Sequence, residues 1–186
     1  MKSCFHVIRK LSRIKAFLTH DQLKTVVCAC IFSKIDYCNA LYYGVNSNLI
    51  NKLQSVQNSV ARLLKKKNGF GDISIHNYIK KCHWLRVKER ILFKICLLVH
   101  NCLHGFAPSS STEMFVYATS SRTMMLTQYS YNSNFGNRSL SRIGPKLWNL
   151  LPIGIRMEVN TSTFKKLLKT FLFDGSEQLL KKLHEH

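Results

Sequence analysis

The chain of 186 residues carries 28 Lys and Arg against nine Asp and Glu, a formal net charge of +19, with 46% hydrophobic and 11% aromatic residues. That composition excludes wholesale disorder and suffices for one compact domain with a core, or two small ones. It also excludes an ordinary neutral surface. Such an excess of one sign repels itself unless a polyanion offsets it, which puts nucleic acid first among partners and an anionic membrane surface second.

The longest uninterrupted apolar run, Val26 to Phe32, is far short of the roughly 20 residues of a membrane span, and Lys94 interrupts Ile91 to Val99. The chain reads as soluble, with no membrane partner. In chain order, Phe5, Ile8, Leu11, Ile14 and Leu18 share one helical face, with Arg9, Lys10, Arg13 and Lys15 among the polar positions. Thr19 followed by Gln22 has capping-box spacing and should open a second helix carrying Leu23, Val26, Val27, Cys30 and Ile31. Gly44 and Asn46-Ser47-Asn48 mark a break. The third helix should be built on Leu49, Leu53, Val56, Val60 and Leu63, and Lys65-Lys66-Lys67 followed by Asn68-Gly69 should close it. Another of its faces carries Lys52, Ser55, Ser59, Arg62 and Lys66, and the loop to His76 reads as an exposed basic tip.

A short helix is expected around Tyr78 and a longer one over 87–103, ended by Gly105 and Pro108. From 109 to 140 the chain is rich in Ser, Thr, Asn and Tyr, with turns and at most a short hairpin. Ser162 or Thr163 can cap a last amphipathic helix bearing Phe164, Leu167, Leu168, Phe171 and Leu172, with Lys165, Lys166 and Lys169 on its other side. The expected fold is mainly α: a helical bundle over 1–106, a loop-rich extension over 107–174 closing in a helix, and a frayed tail over 175–186.

Candidate chemistry is sparse. Asp21, Asp36, Asp72 and Asp174 are widely scattered, whereas two-metal phosphoryl transfer needs several carboxylates converging on ions about 4 Å apart. Cys96, His100, Cys102 and His104 are zinc-ligand types. Helical geometry at about 100° per residue nevertheless turns Cys96 toward the core and sets Cys102 and His104 apart. Cys28-Ala29-Cys30 is too tightly spaced for a ligand pair, and Cys82 beside His83 offers no third group to orient a base. No metal or cofactor is expected. Seven cysteines at irregular spacing, with no continuous apolar leader in the first twenty residues, read as reduced, mostly buried thiols of an intracellular protein, with nucleus and cytoplasm undecided. The basic first segment has the composition of a mitochondrial transit peptide, but its apolar seam runs on into the next helix, which favours a bundle over targeting.

The order of motifs carries more. Lys34-Ile35-Asp36-Tyr37-Cys38-Asn39-Ala40-Leu41 is followed by Leu53-Gln54-x-x-Gln57-Asn58-x-x-x-Arg62 and by His83-Trp84-Leu85-x-Val87-x-x-Arg90-Ile91-x-Phe93-Lys94. Then come Leu103-His104-Gly105-x-Ala107-Pro108, Gly136-Asn137-Arg138, Gly144-Pro145-Lys146-Leu147-Trp148-Asn149-x-Leu151-Pro152 and Ile155-Arg156. Over nearly the whole chain this succession resembles the segment after the catalytic palm of LINE-type, non-LTR retrotransposon reverse transcriptases (jockey-like RNA-directed DNA polymerases). Arg86 and Ser109-Ser110-Ser111 depart from the family's pattern. The family's palm signature, with its paired aspartates, and its endonuclease domain are absent from the sequence. The resemblance therefore implies a non-catalytic thumb and carboxy-terminal extension from a truncated element copy. Its implied task is to grip RNA or an RNA–DNA duplex through phosphates, weakly and without sequence preference, with the absent palm as a further partner. The cations expected to do this are Lys52, Arg62, Lys65, Lys66 and Lys67. A helical protein-interaction module is the competing reading, and an open reading frame with no retained function a third.

Overall fold

The computed structural model of the chain describes residues 1–67, 73–118, 123–129 and 136–184. The fold is mainly α, and among the described residues β-structure amounts to one isolated antiparallel bridge, Tyr117 to Leu126. The chain divides into two compact units, Met1–Arg90 and Ile91–His186. This division lies inside the helix Val87–Leu103.

In the first unit, α1 (Lys2–Ile14) runs into a single 3₁₀ turn, and α2 (His20–Val27) starts where the capping box places it. Gln22 N–H donates to Thr19 Oγ1 at 3.3 Å, and Thr19 N–H donates to Gln22 Oε1 at 2.9 Å. A π-turn, Cys28–Phe32, then joins α2 to α3 (Ser33–Asp36). The wider turn rotates the side-chain pattern. Leu23, Val27, Ile31, Phe32 and Ile35 are buried, while Cys30, expected on the apolar face, is exposed with Cys28. Cys38 is exposed as well, so of seven free thiols only Cys4, Cys96 and Cys102 are buried, fewer than expected.

α4 (Ser47–Lys67) is the central element, with α1, α2 and α5 (Ile75–Lys81) packed against it. Neighbours on several sides broaden its buried arc. Ile50, Gln57, Ala61 and Leu64 join Val56, Val60 and Leu63, whereas Leu49, in the first turn, is exposed. α5 ends with His83 in the left-handed region (φ 54°). His83 N–H bonds to Lys80 O and Trp84 N–H to Ile79 O, a Schellman closure that turns Trp84 inward to 8% exposure.

In the second unit, α6 (Val87–Leu103) closes the same way on Gly105, with Phe106 N–H bonded to Asn101 O at 2.8 Å. The described residues of 109–140 include a one-turn α7 (Ser109–Thr112) and the antiparallel Tyr117–Leu126 bridge, where Ala118 N–H bonds to Met125 O and Thr127 N–H to Val116 O. α8 (Leu140–Asn149) and α9 (Ile153–Arg156) were not expected. Gly144 and Pro145 lie buried inside α8, which tolerates the loss of the amide hydrogen bond that Pro145 cannot make. α10 (Thr161–His184) is capped by Asn160, whose Oδ1 accepts from Ser162 and Thr163 N–H, rather than by Ser162 or Thr163. Nor does it fray at Gly175. Leu179 and Leu183 continue the face of Phe164, Leu168 and Leu172 and are buried, and Lys146 Nζ donates to the Leu183 carbonyl at 2.8 Å.

A Cβ built on Gly144 would lie 2.8 Å from Phe115 Cε1 and 2.9 Å from Val99 Cγ2. Replacing Gly144 with Ala should therefore overpack this point and cost about 1–3 kcal/mol, read as a lowered midpoint in urea unfolding. Unchanged stability would mean that the Phe115 ring yields freely.

Candidate nucleic-acid interface

Of the cations singled out on α4, Lys52 and Arg62 stand exposed on one face. They are ten residues apart, about 15 Å along the helix. Between them, Ser55 Oγ donates to Lys52 O at 2.7 Å and Ser59 Oγ to Ser55 O at 2.9 Å. These hydroxyls spend their protons on the helix itself and offer no donor outward. Lys65 differs from the solvated role expected of it. It is half-buried, next to Leu64, and its Nζ donates to the carbonyl of Ile73, tying the end of α4 to the approach of α5. The side chains of Lys66 and Lys67, and residues 68–72 of the expected tip, lie outside the described residues; the loop stops short of His76, which lies in α5.

The motif residues around this face do architectural work that sequence reasoning did not assign. Gln57, almost wholly buried, donates from Nε2 to Leu85 O at 2.9 Å. Gln54 Oε1 accepts from Val87 N–H at 3.0 Å, and Gln54 Nε2 donates to Gln57 Oε1 and Asn58 Oδ1. Two adjacent turns of α4 thus satisfy both a carbonyl and an amide at the entry to α6, which carries four orphan N–H groups like any helix start. Arg90 grips Asp36 through Nε and Nη2 and lies 4.7 Å from the Phe32 ring centroid, and Phe32 meets Trp84 edge-on at 4.6 Å. The signal was in the sequence: Gln at i and i+3 on a half-buried helix face, an unusual pair to bury without partners.

The second unit's motif behaves alike. Asn149 brackets Leu126 by accepting from its N–H and donating to its C=O, both at 2.8 Å, and Trp148, fully buried, donates from Nε1 to Met124 O at 2.9 Å. His100 is buried and stacks on Phe164 at 4.1 Å, with Nε2 3.0 Å from Glu158 O and the His104 ring 4.4 Å away. That contact makes Nε2 the protonated nitrogen of a neutral ring. Cys96 is wholly buried, and burial pushes its thiol up to about 12, the environment of an inert packing sulfur. Burial also raises the Cys82 thiol. Among the described residues, no group of three or more His, Cys, Asp or Glu is placed to hold a metal, and no helix is long and apolar enough to cross a membrane. Comparison with family models, with curated proteins and with solved structures finds no match to this chain.

Burial holds both the His100 and the His104 imidazoles below the ordinary histidine value of 6.5. The unfolded chain therefore takes up protons that the folded chain refuses. Stability from this pair should be complete above about pH 6.5 and decline as pH falls below it. Melting temperature followed from pH 7.5 to 5 should drop on that limb, and His100→Gln should flatten the drop. An identical pH profile in the variant would place the acid sensitivity elsewhere.

Proposed function

We propose that this chain is a non-catalytic nucleic-acid-gripping module that holds RNA or an RNA–DNA duplex through its phosphates, without sequence preference. The observation that carries this reading is the distribution of charge. Seventeen of the 28 Lys and Arg but only four of the nine acids fall within Met1–Arg90. Of those acids, Asp36 is engaged by Arg90 and Glu89 is buried. The first unit thus turns a nearly uncompensated cationic surface outward, with Lys52 and Arg62 free of its core. Phosphate contacts of this kind position a partner without specifying bases. The succession of motifs that resembles the post-palm segment of LINE-type reverse transcriptases supports the same reading and makes that thumb-like region its source. No curated or structural relative contributes to it.

Two measurements test the proposal. Affinity for a labelled RNA hairpin, taken across a salt series, should fall linearly in log–log form with a slope of about 0.7–0.9 per phosphate contact. Changing Lys52 and Arg62 together to Ala should weaken binding to all sequences alike and flatten the slope by nearly one unit per contact. Lys65→Ala should in addition lower stability, because it removes the tie to Ile73. Salt-independent affinity in the parent chain would favour the protein-interaction module instead.

Catalysis is tested separately. Purified chain with magnesium or manganese should not extend a primer on an RNA template, since the carboxylates are scattered along the chain and two-metal transfer needs several of them converging on one place. Extension by protein freed of host polymerases would overturn the non-catalytic reading.

A further inference from the structure

Among the described residues, the cations are more sharply segregated on α1 than on α4. At about 100° per residue, Lys2, His6, Arg9, Lys10 and Arg13 fall within a single sector about 100° wide, running about 16 Å along the axis from Lys2 to Arg13. All five are exposed. Cys4 and Leu11, the buried residues of this helix, lie almost diametrically opposite, facing the unit's interior where α1 packs on α4. No carboxylate occurs before Asp21, and among the described residues no ion pair engages these cations. Just beyond the stripe, in the 3₁₀ turn, Phe17 is 87% exposed, the most exposed large apolar side chain among the described residues.

We infer that α1 and Phe17 form a second nucleic-acid-binding surface, in which the cationic stripe follows one run of phosphates and Phe17 stacks on an unpaired base at its end. The inference rests on the nucleic-acid reading above and names a surface which that reading did not include. Three physical points select the partner. An uncompensated row of cations gains most from a linear polyanion, because each neutralised phosphate releases condensed counterions. A lone aromatic ring beside such a row is the usual platform for an unpaired base, which presents a flat apolar face. Membrane adsorption by a basic amphipathic helix needs one continuous apolar face to be free; here Cys4 and Leu11 are turned into the bundle, and the exposed Phe5 and Ile14 lie on opposite sides of the helix.

The test uses the full chain and RNA hairpins with and without a single-stranded overhang, measured by fluorescence anisotropy across a salt series. Arg9→Gln, Lys10→Gln and Arg13→Gln combined should weaken binding about ten-fold or more near 0.1 M salt and flatten the salt slope by about two units. Helix content should stay constant, since none of the three is buried. Phe17→Ala should weaken overhang binding about five-fold or more while leaving the slope and blunt-hairpin binding unchanged. A parent chain that binds with a steep slope, and a triple variant that keeps that slope, would overturn the α1 surface while leaving the general reading intact. A parent chain that binds no RNA would remove both. Partitioning onto phosphatidylserine vesicles, lost in the triple variant and without RNA binding, would hand the stripe to a lipid surface and overturn the proposal.

Discussion

Much of the first unit depends on two amide side chains. Gln54 and Gln57 reach from α4 to the backbone at Leu85 and Val87, where the chain leaves the turn after α5 and enters α6. A buried carbonyl left without a donor costs roughly 1–3 kcal/mol, so these bonds fix where α6 begins as much as they stabilise it. The neighbouring positions follow from that anchoring. Trp84 is turned inward against Phe32, and Arg90, one turn into α6, comes within reach of Asp36 at the end of α3. A substitution that shortened Gln57 would disturb an ion pair and an aromatic contact that it does not touch.

The second unit uses the same device with different residues. Asn149 treats the backbone of Leu126 as a strand partner would, satisfying donor and acceptor together, and Trp148 adds a third bond to the same segment. Irregular chain is thereby held against a helix without a sheet. Gly144 allows the close approach of α8 to Val99 and Phe115, and Lys146 binds a carbonyl in the last turn of α10, where a cation also suits the helix dipole. Polar side chains here join elements that apolar packing alone would leave free to slide.

The helices over 20–27, 47–67 and 87–103 were legible because period, caps and stop signals agreed. Thr19 and Gln22 fixed one start, and Gly105 fixed one end. Trp148 is buried within an apolar run, whereas Trp84 is buried despite Lys80, Lys81, Arg86 and Lys88 close along the chain. What escaped depended on tertiary context. The π-turn at Cys28–Phe32 leaves no mark in composition, and Pro145 argues locally against the helix that contains it. Gly175 looks like a stop until Leu179 and Leu183 find their places in the core. At the candidate interface, sequence could group Lys52 and Arg62 on one face. It could not show that Lys65 would be drawn aside to a backbone carbonyl, because Ile73 lies beyond the helix, just before α5, and comes near only where α5 packs on α4.

The breadth of α4's buried arc has a geometric consequence. Its core-facing positions, from Leu63 round to Ala61, span about 160° of the circumference, and half-buried positions on either side narrow the remainder further. For a cylinder about 10–12 Å across, the solvent-facing remnant is a ribbon roughly a dozen ångströms wide and about 30 Å long. The outer sector of α1 is no wider. Surfaces of this shape are rails, each broad enough for one sugar–phosphate strand and too narrow to cradle a double helix, so any hold on a duplex would have to engage its two strands from separate helices.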